Sequence, residues 1–164
     1  MTNTVGELLQ REDIALDVDV ANSSALLRRL AVMLARSGRP SPSEVADGLM
    51  AREELGSTAV GHGVAIPHAR MADCGAASAA LVRTRIAIPF NAPDGKPVSL
   101  FLGLLVPKQA NQEHLKLLAT AAGMFSDRSF REALRASADS AEVMKLISSW
   151  SDKSASPARA PSTE

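Results

Sequence analysis

The chain has 164 residues, and its 18 Lys and Arg balance 18 Asp and Glu to a formal net charge of zero at pH 7. That length fits one domain with a buried core, and the balanced charge gives no basic excess for a phosphate backbone or an anionic membrane surface, so nucleic acid is not an expected partner. Cys74 is the single cysteine, which excludes an intrachain disulfide and a multi-cysteine zinc site, and the lack of Tyr leaves few aromatic stacking platforms.

The stretch Met1 to Thr4 has neither a basic nor an apolar leader pattern, and the longest apolar run, Val98 to Val106, is about half of the ~20 residues a membrane span needs. A soluble, unexported protein of the cytoplasm, with no membrane insertion, is expected. A short helical turn from Gly6 precedes Ile14 to Val20, whose apolar/polar alternation predicts a half-buried strand. Ser23 or Ser24 is positioned to cap a helix that carries Leu26, Leu27, Leu30, Met33 and Leu34 on one stripe and stops at Gly38-Arg39-Pro40. Ser41-Pro42-Ser43-Glu44 combines a capping box with Pro at the first helical position, opening a second helix that runs toward Glu54.

The segment Gly56 to Cys74 holds three glycines and a proline in a mostly apolar stretch, which predicts loop and short strand with unusual backbone angles. Ala79 to Pro89 and Ser99 to Val106 read as neighbouring strands separated by the turn cluster Asn91 to Pro97. Helices follow at Gln112 to Phe125, at Phe130 to Ala136, and after a cap signal at Asp139 to Glu142. Helices interspersed with strands predict a single α/β domain over 1–150 with a mixed sheet, and the Ser/Ala/Pro-rich 151–164 reads as a disordered tail.

Three histidines invite a metal reading, but His62 and His68 lie six residues apart in a loop, unlike ligands at i and i+4 on a helix, and nothing local nominates a further ligand. The other chemistry is nucleophilic: an imidazole nitrogen takes a phosphoryl group and later passes it on. It needs one ring nitrogen unprotonated and exposed, the other held by a hydrogen bond, and donors for the phosphoryl oxygens. His68 suits this role because Pro67 and the restricted Ile66 before it set the direction in which the ring leaves the chain. Gly61 and Gly63 could let backbone N–H groups approach an anion, Ser57 and Thr58 add hydroxyls, and Arg52, Arg70 and His114 are candidates to balance the phosphate charge. The structural alternatives are a packed or solvent-facing His68, a tight turn at Gly61-His62-Gly63, a cap-region His114, and solvated faces for Arg28-Arg29 and Arg83-Thr84-Arg85, one of which could form a docking rim. Cys74 carries no sign of a reactive thiol.

Read whole, Glu53 to Arg70, with Val64-Ala65-Ile66-Pro67-His68 at its centre, resembles the signature of phosphotransferase-system enzyme IIA domains of the fructose/mannitol class. The resemblance implies that His68 accepts phosphate from a small HPr-type histidine phosphocarrier, that Glu53 fills the acidic position opening the pattern, and that Arg52 is a charge partner. Leu102 to Pro107 followed by Gln112 to Leu118 is similar to the family's strand, proline and His-Leu helix, which implies that His114 orients His68 or stabilises the phosphoryl group. His62 departs from the pattern, where asparagine is common. The implied fold is one α/β domain with a mixed sheet of about five strands flanked by helices on both faces, and no cofactor or metal is implied.

The chain carries neither the cysteine loop of a IIB part nor the spans of a IIC part, and with Thr4 to Leu9 it looks most like the nitrogen-regulatory enzyme IIA. That likeness implies a nitrogen-related carrier and phosphorylation-dependent binding to regulatory targets such as potassium transporters or sensor kinases. Two other readings stand beside it: a sugar-transport enzyme IIA passing phosphate to a separate IIB, and a metal-dependent enzyme using His62, His68 and His114.

Overall fold

The computed structural model describes residues 4–35, 40–72, 74–109 and 112–151. The expected tail therefore lies outside the described residues from 152 onward. Helix α1 (Thr4–Leu8) and a 3-10 turn (Arg11–Asp13) lead into β1 (Ile14–Val18), followed by α2 (Ser23–Leu34) and α3 (Pro42–Glu54). Three short strands, β2 (Ala59–Gly61), β3 (Val64–Ala65) and β4 (His68–Met71), precede the long pair β5 (Ser78–Ile88) and β6 (Val98–Pro107). Helices α4 (Gln112–Ser126), α5 (Arg128–Ala136) and α6 (Ser140–Ser149) follow. The predicted mixed α/β class and mixed sheet of about five strands hold: the described residues form six, three of them short strands from the glycine-rich segment.

Strand β6 is the axis of the sheet. It pairs antiparallel with β5, Ala79 opposite Leu104 and Val82 opposite Phe101. Its other edge is shared end to end by β3, which meets Leu100 and Phe101, and β4, which meets Leu104 to Pro107, both in parallel. Strand β1 lies parallel outside β5, and β2 lies antiparallel outside β3. Side chains alternate across β6 as the pleat requires. Phe101 and Leu105 face the cluster with α2 and α3, while Leu100, Leu102, Leu104 and Val106 face α1, α4, α5 and α6. Gly103 permits α2 to sit directly on the sheet, since a Cβ there would lie 3.0 Å from Leu30 Cδ2.

The caps explain where the helices begin. Ser41 accepts from Glu44 N while Glu44 Oε1 accepts from Ser41 N, the predicted capping box, with Pro42 at the first position. For α2 the cap is Asn22, not Ser23 or Ser24: its Oδ1 accepts from Ala25 N at 2.9 Å, and the serines already belong to the helix. Asp127 caps α5 through Oδ1 and receives Trp150 Nε1–H on Oδ2 at 3.1 Å, tying the C-terminal helices together.

Arg83 corrects the reading of a solvated face. Its side chain is 11% exposed, donates to both carboxylate oxygens of Asp17, and gives Nη1–H to the carbonyls of Leu134 and Ser137 at 3.0 and 2.8 Å. One guanidinium thus satisfies the open carbonyls at the end of α5, while its Asp17 partner sits at φ 56° and interrupts the alternation of β1. Arg83→Met should strip this donor from the Ser137 carbonyl, leave Leu134 O with the Ser137 N–H alone, and cost about 1–3 kcal/mol in denaturant unfolding.

Gly61, His62 and Gly63 all have positive φ, at 91°, 60° and 76°, so the β2–β3 connection is a left-handed tight turn. Asp94 closes it by accepting from His62 N at 2.9 Å and from Lys96 N at 3.1 Å, and these amides hold its carboxyl below the ordinary carboxylate range. His62→Val, β-branched at positive φ, should cost about 1–2 kcal/mol in thermal unfolding, whereas His62→Asn should be tolerated.

Candidate functional site

Strand β4 begins at His68, immediately after Ile66-Pro67, which bridge the gap between β3 and β4 along β6. Proline has no N–H to offer, but its carbonyl still accepts from Leu104 N at 2.9 Å, so the chain remains seated on β6 through the break. Ala69 packs into the α2/α3 cluster, so the neighbouring His68, opposite Leu104, lies on the face covered by α4. Its side chain is half-buried.

The imidazole is pinned two residues from its own backbone. His68 Nδ1 lies 2.8 Å from the carbonyl oxygen of Ile66. A carbonyl can only accept, so Nδ1 carries the proton and, in the neutral ring, the lone pair resides on Nε2. The tautomer is therefore fixed by local geometry.

The Ile66 peptide is itself braced. Its N–H donates to the Thr58 carbonyl at 3.0 Å, and Thr58 in turn donates N–H and Oγ1–H to the two oxygens of Glu53, both at 2.8 Å. Arg52, beside Glu53 in the last turn of α3, donates Nη1–H to the Gly56 carbonyl at 2.8 Å. Gly48, one turn earlier on α3, faces Ala69 and Met71 of β4, and a Cβ added there would lie 3.4 Å from either side chain. The same helical stripe therefore carries Arg52 to the loop that supports Ile66. Neighbouring residues of α3 divide the work: Glu53 fixes the loop, and Arg52 supplies cationic charge beside it.

His114 occupies the first turn of α4, three residues before the buried Leu117 on the sheet-facing stripe, and is half-exposed. Helix α4 starts shortly after the end of β6, where Lys108 N donates to the carbonyl of Met71 at 3.1 Å, so both histidines belong to the α4 side of the β4–β6 pair.

Other sequence candidates are placed differently. Ser57 gives its hydroxyl proton to the Phe90 carbonyl at 2.7 Å and Thr58 gives its proton to Glu53, so both hydroxyls are used in bracing the loop. The Gly63 carbonyl meets Ser99 N and Leu100 N, four to five residues of β6 from Leu104, roughly 13–17 Å from the level of His68. Gly61 and Gly63 thus shape a turn at the other end of the strand. Arg70 is exposed, and Cys74 is buried, its thiol pushed up by burial while it donates to the Ala76 carbonyl. Among the described residues no group of three or more His, Cys, Asp or Glu side chains is assembled to hold a metal ion, and no helix is long and apolar enough to cross a membrane. The Ile66 carbonyl is not among the sequence candidates, yet it is legible in principle: it lies two residues before His68 across a proline.

Residues 7–150 match the family described as phosphoenolpyruvate-dependent sugar phosphotransferase system, EIIA 2. The nitrogen regulatory protein of Pseudomonas aeruginosa is 37% identical over 132 residues, spanning 80% of this chain and 85% of that protein. The crystal structure of the nitrogen regulatory protein IIA-Ntr from Neisseria meningitidis superposes with a TM-score of 0.84 at 44% identity, covering 88% of this chain and 99% of that one. The mannitol IIA of Escherichia coli, at 22% identity and a TM-score of 0.72 over 85% of this chain and 99% of that one, shares the fold. With the family match running from α1 to the end of α6, the chain belongs to the type 2 enzyme IIA family of the phosphoenolpyruvate-dependent sugar phosphotransferase system.

Proposed function

We propose that this protein carries a phosphoryl group on Nε2 of His68, received from an HPr-type histidine phosphocarrier of the nitrogen-related kind. The observation that supports this most directly is the 2.8 Å contact between Nδ1 and the Ile66 carbonyl, which leaves Nε2 as the nucleophile. In the transfer, the Nε2–P bond forms as the P–N bond of the carrier's phosphohistidine breaks, and the departing electron pair returns to the carrier's ring nitrogen. The Nδ1 proton stays against Ile66 O, so positive charge developing on the ring is shared with a fixed acceptor. Arg52 balances the incoming charge, and His114 orients the ring or donates to the phosphoryl oxygens. Little else is required, because phosphoryl transfer depends chiefly on positioning and charge stabilisation.

The phosphoryl group adds about −1.5 to −2 charges to a half-buried position, which suffices to change which surface the protein prefers to meet. The resemblance to nitrogen regulatory proteins supports an output of this kind, through phosphorylation-dependent binding to regulatory targets such as potassium transporters or sensor kinases. A second reading is a sugar-transport enzyme IIA that passes phosphate to a separate IIB.

Intact mass after incubation with phosphoenolpyruvate, enzyme I and a carrier tests the acceptor: wild type should gain one phosphoryl group and His68→Gln none, with its thermal unfolding unchanged. Labelling of His68→Gln would overturn the assignment. Faster labelling by the nitrogen-type than by the sugar-type carrier is expected, and the reverse would favour sugar transport. His114→Ala should slow labelling on the order of 100-fold or shorten the phosphoform's lifetime, and unchanged values of both would remove His114 from the site.

A further inference from the structure

At the end of β6 away from His68, the β2–β3 turn, the β5–β6 connection and α5 enclose a groove of about 420 Å3. Its charged lining is Lys96, Arg128, Arg131, Glu132 and Arg135, with the exposed His62 at its lip. This is a local cationic excess in a chain whose net charge is zero. Glu132 pairs with Arg128 at 3.1 Å, and Asp94 is turned to the backbone amides of His62 and Lys96. Four cations therefore line the groove with one carboxylate, Glu132, and counting the neighbouring Asp94 as well still leaves an excess of two cations.

The arginines are built into the fold. Arg131 is 7% exposed and donates Nη1–H to the Phe125 carbonyl at 2.9 Å. Arg135 donates Nη2–H to the His62 carbonyl, an approach that Gly63 permits, because a Cβ there would lie 2.8 Å from that nitrogen. Arg131 and Arg135 are one helical turn apart, a spacing at which like charges repel. Burial, and then the charge of Arg131, hold the Arg135 guanidinium below its ordinary value. Each of the three guanidinium groups uses only one of its five N–H donors in the bonds named.

We propose that this groove binds the phosphate group of a small phosphorylated metabolite, between Lys96 on one wall and Arg128, Arg131 and Arg135 on the other. A phosphate monoester brings close to two negative charges and three terminal oxygens, matching an excess of two cations and several converging donors, whereas a monocarboxylate brings one charge and two oxygens. The volume lies in the range of small-molecule sites. The groove is distinct from the His68 layer, since Gly63 meets β6 at Ser99 and Leu100 and His68 meets it at Leu104.

The test uses full-length His68→Gln protein, so that the result is independent of phosphoryl transfer at that residue. Amide NMR spectra are titrated with glycerol 3-phosphate, inorganic phosphate and sulfate at constant ionic strength. Saturable shifts are expected at His62, Gly63, Ser99 and α5 with glycerol 3-phosphate, bound at least as tightly as inorganic phosphate and more tightly than sulfate. Lys96→Gln and Arg135→Gln should each weaken binding about tenfold. Shifts that do not saturate, that centre on β4 and α4, or that sulfate reproduces with equal affinity would overturn the proposal. So would a folded Lys96→Gln protein that binds as before, which decides the matter even if Arg135→Gln fails to fold.

Discussion

The structure depends on β6 having a partner on every side. Eight of its ten residues, all but Ser99 and Pro107, are buried, so the strand must be covered on both faces and hydrogen-bonded along both edges. One long antiparallel neighbour, β5, meets one edge. The other edge is met by two short parallel pieces that are not continuous with each other, and the join between them is Ile66-Pro67. The candidate site at that join receives its main-chain positions from a long, largely buried strand while the His68 side chain emerges on the α4 side.

That placement explains why so little of the site consists of groups reaching toward His68 directly. The carbonyl of Ile66 fixes the ring, the carbonyl of Thr58 fixes Ile66, and Glu53 fixes Thr58 from the end of α3. Each link is a hydrogen bond between groups close in sequence or carried by a rigid helix end, so the ring direction is preset by the chain itself. Hydroxyls that look available in the sequence are part of this bracing.

Much of the architecture was legible because its signals are local. Ser41-Pro42-Ser43-Glu44 states a helix start within four residues, and the turn cluster from Asn91 to Pro97 separates two apolar runs that pair as expected. Asn22-Ser23-Ser24 presents three capping residues in a row, and only the geometry with Ala25 N decides among them. The non-local contacts were not legible. Arg83 reaches 51 to 54 residues along the chain to the end of α5, and Ser57 reaches 33 residues to Phe90, distances over which a one-dimensional reading has no register. For the candidate site, the glycine-rich loop pointed to His68, but the loop's two ends do different things: Gly61-His62-Gly63 turns the chain at one end of β6, and Ile66-Pro67-His68 presents the ring at the other.

The sheet's outer strands have a consequence for how this molecule meets its own copies. Strands β1, β2 and β4 have five, three and four residues, with Asp17 in a left-handed conformation in the first, glycine at the end of the second and proline just before the third. Each is too short or too interrupted to serve as a template for another chain's strand, so the long apolar pair β5–β6 is shielded from edge-to-edge aggregation by the neighbours that flank it.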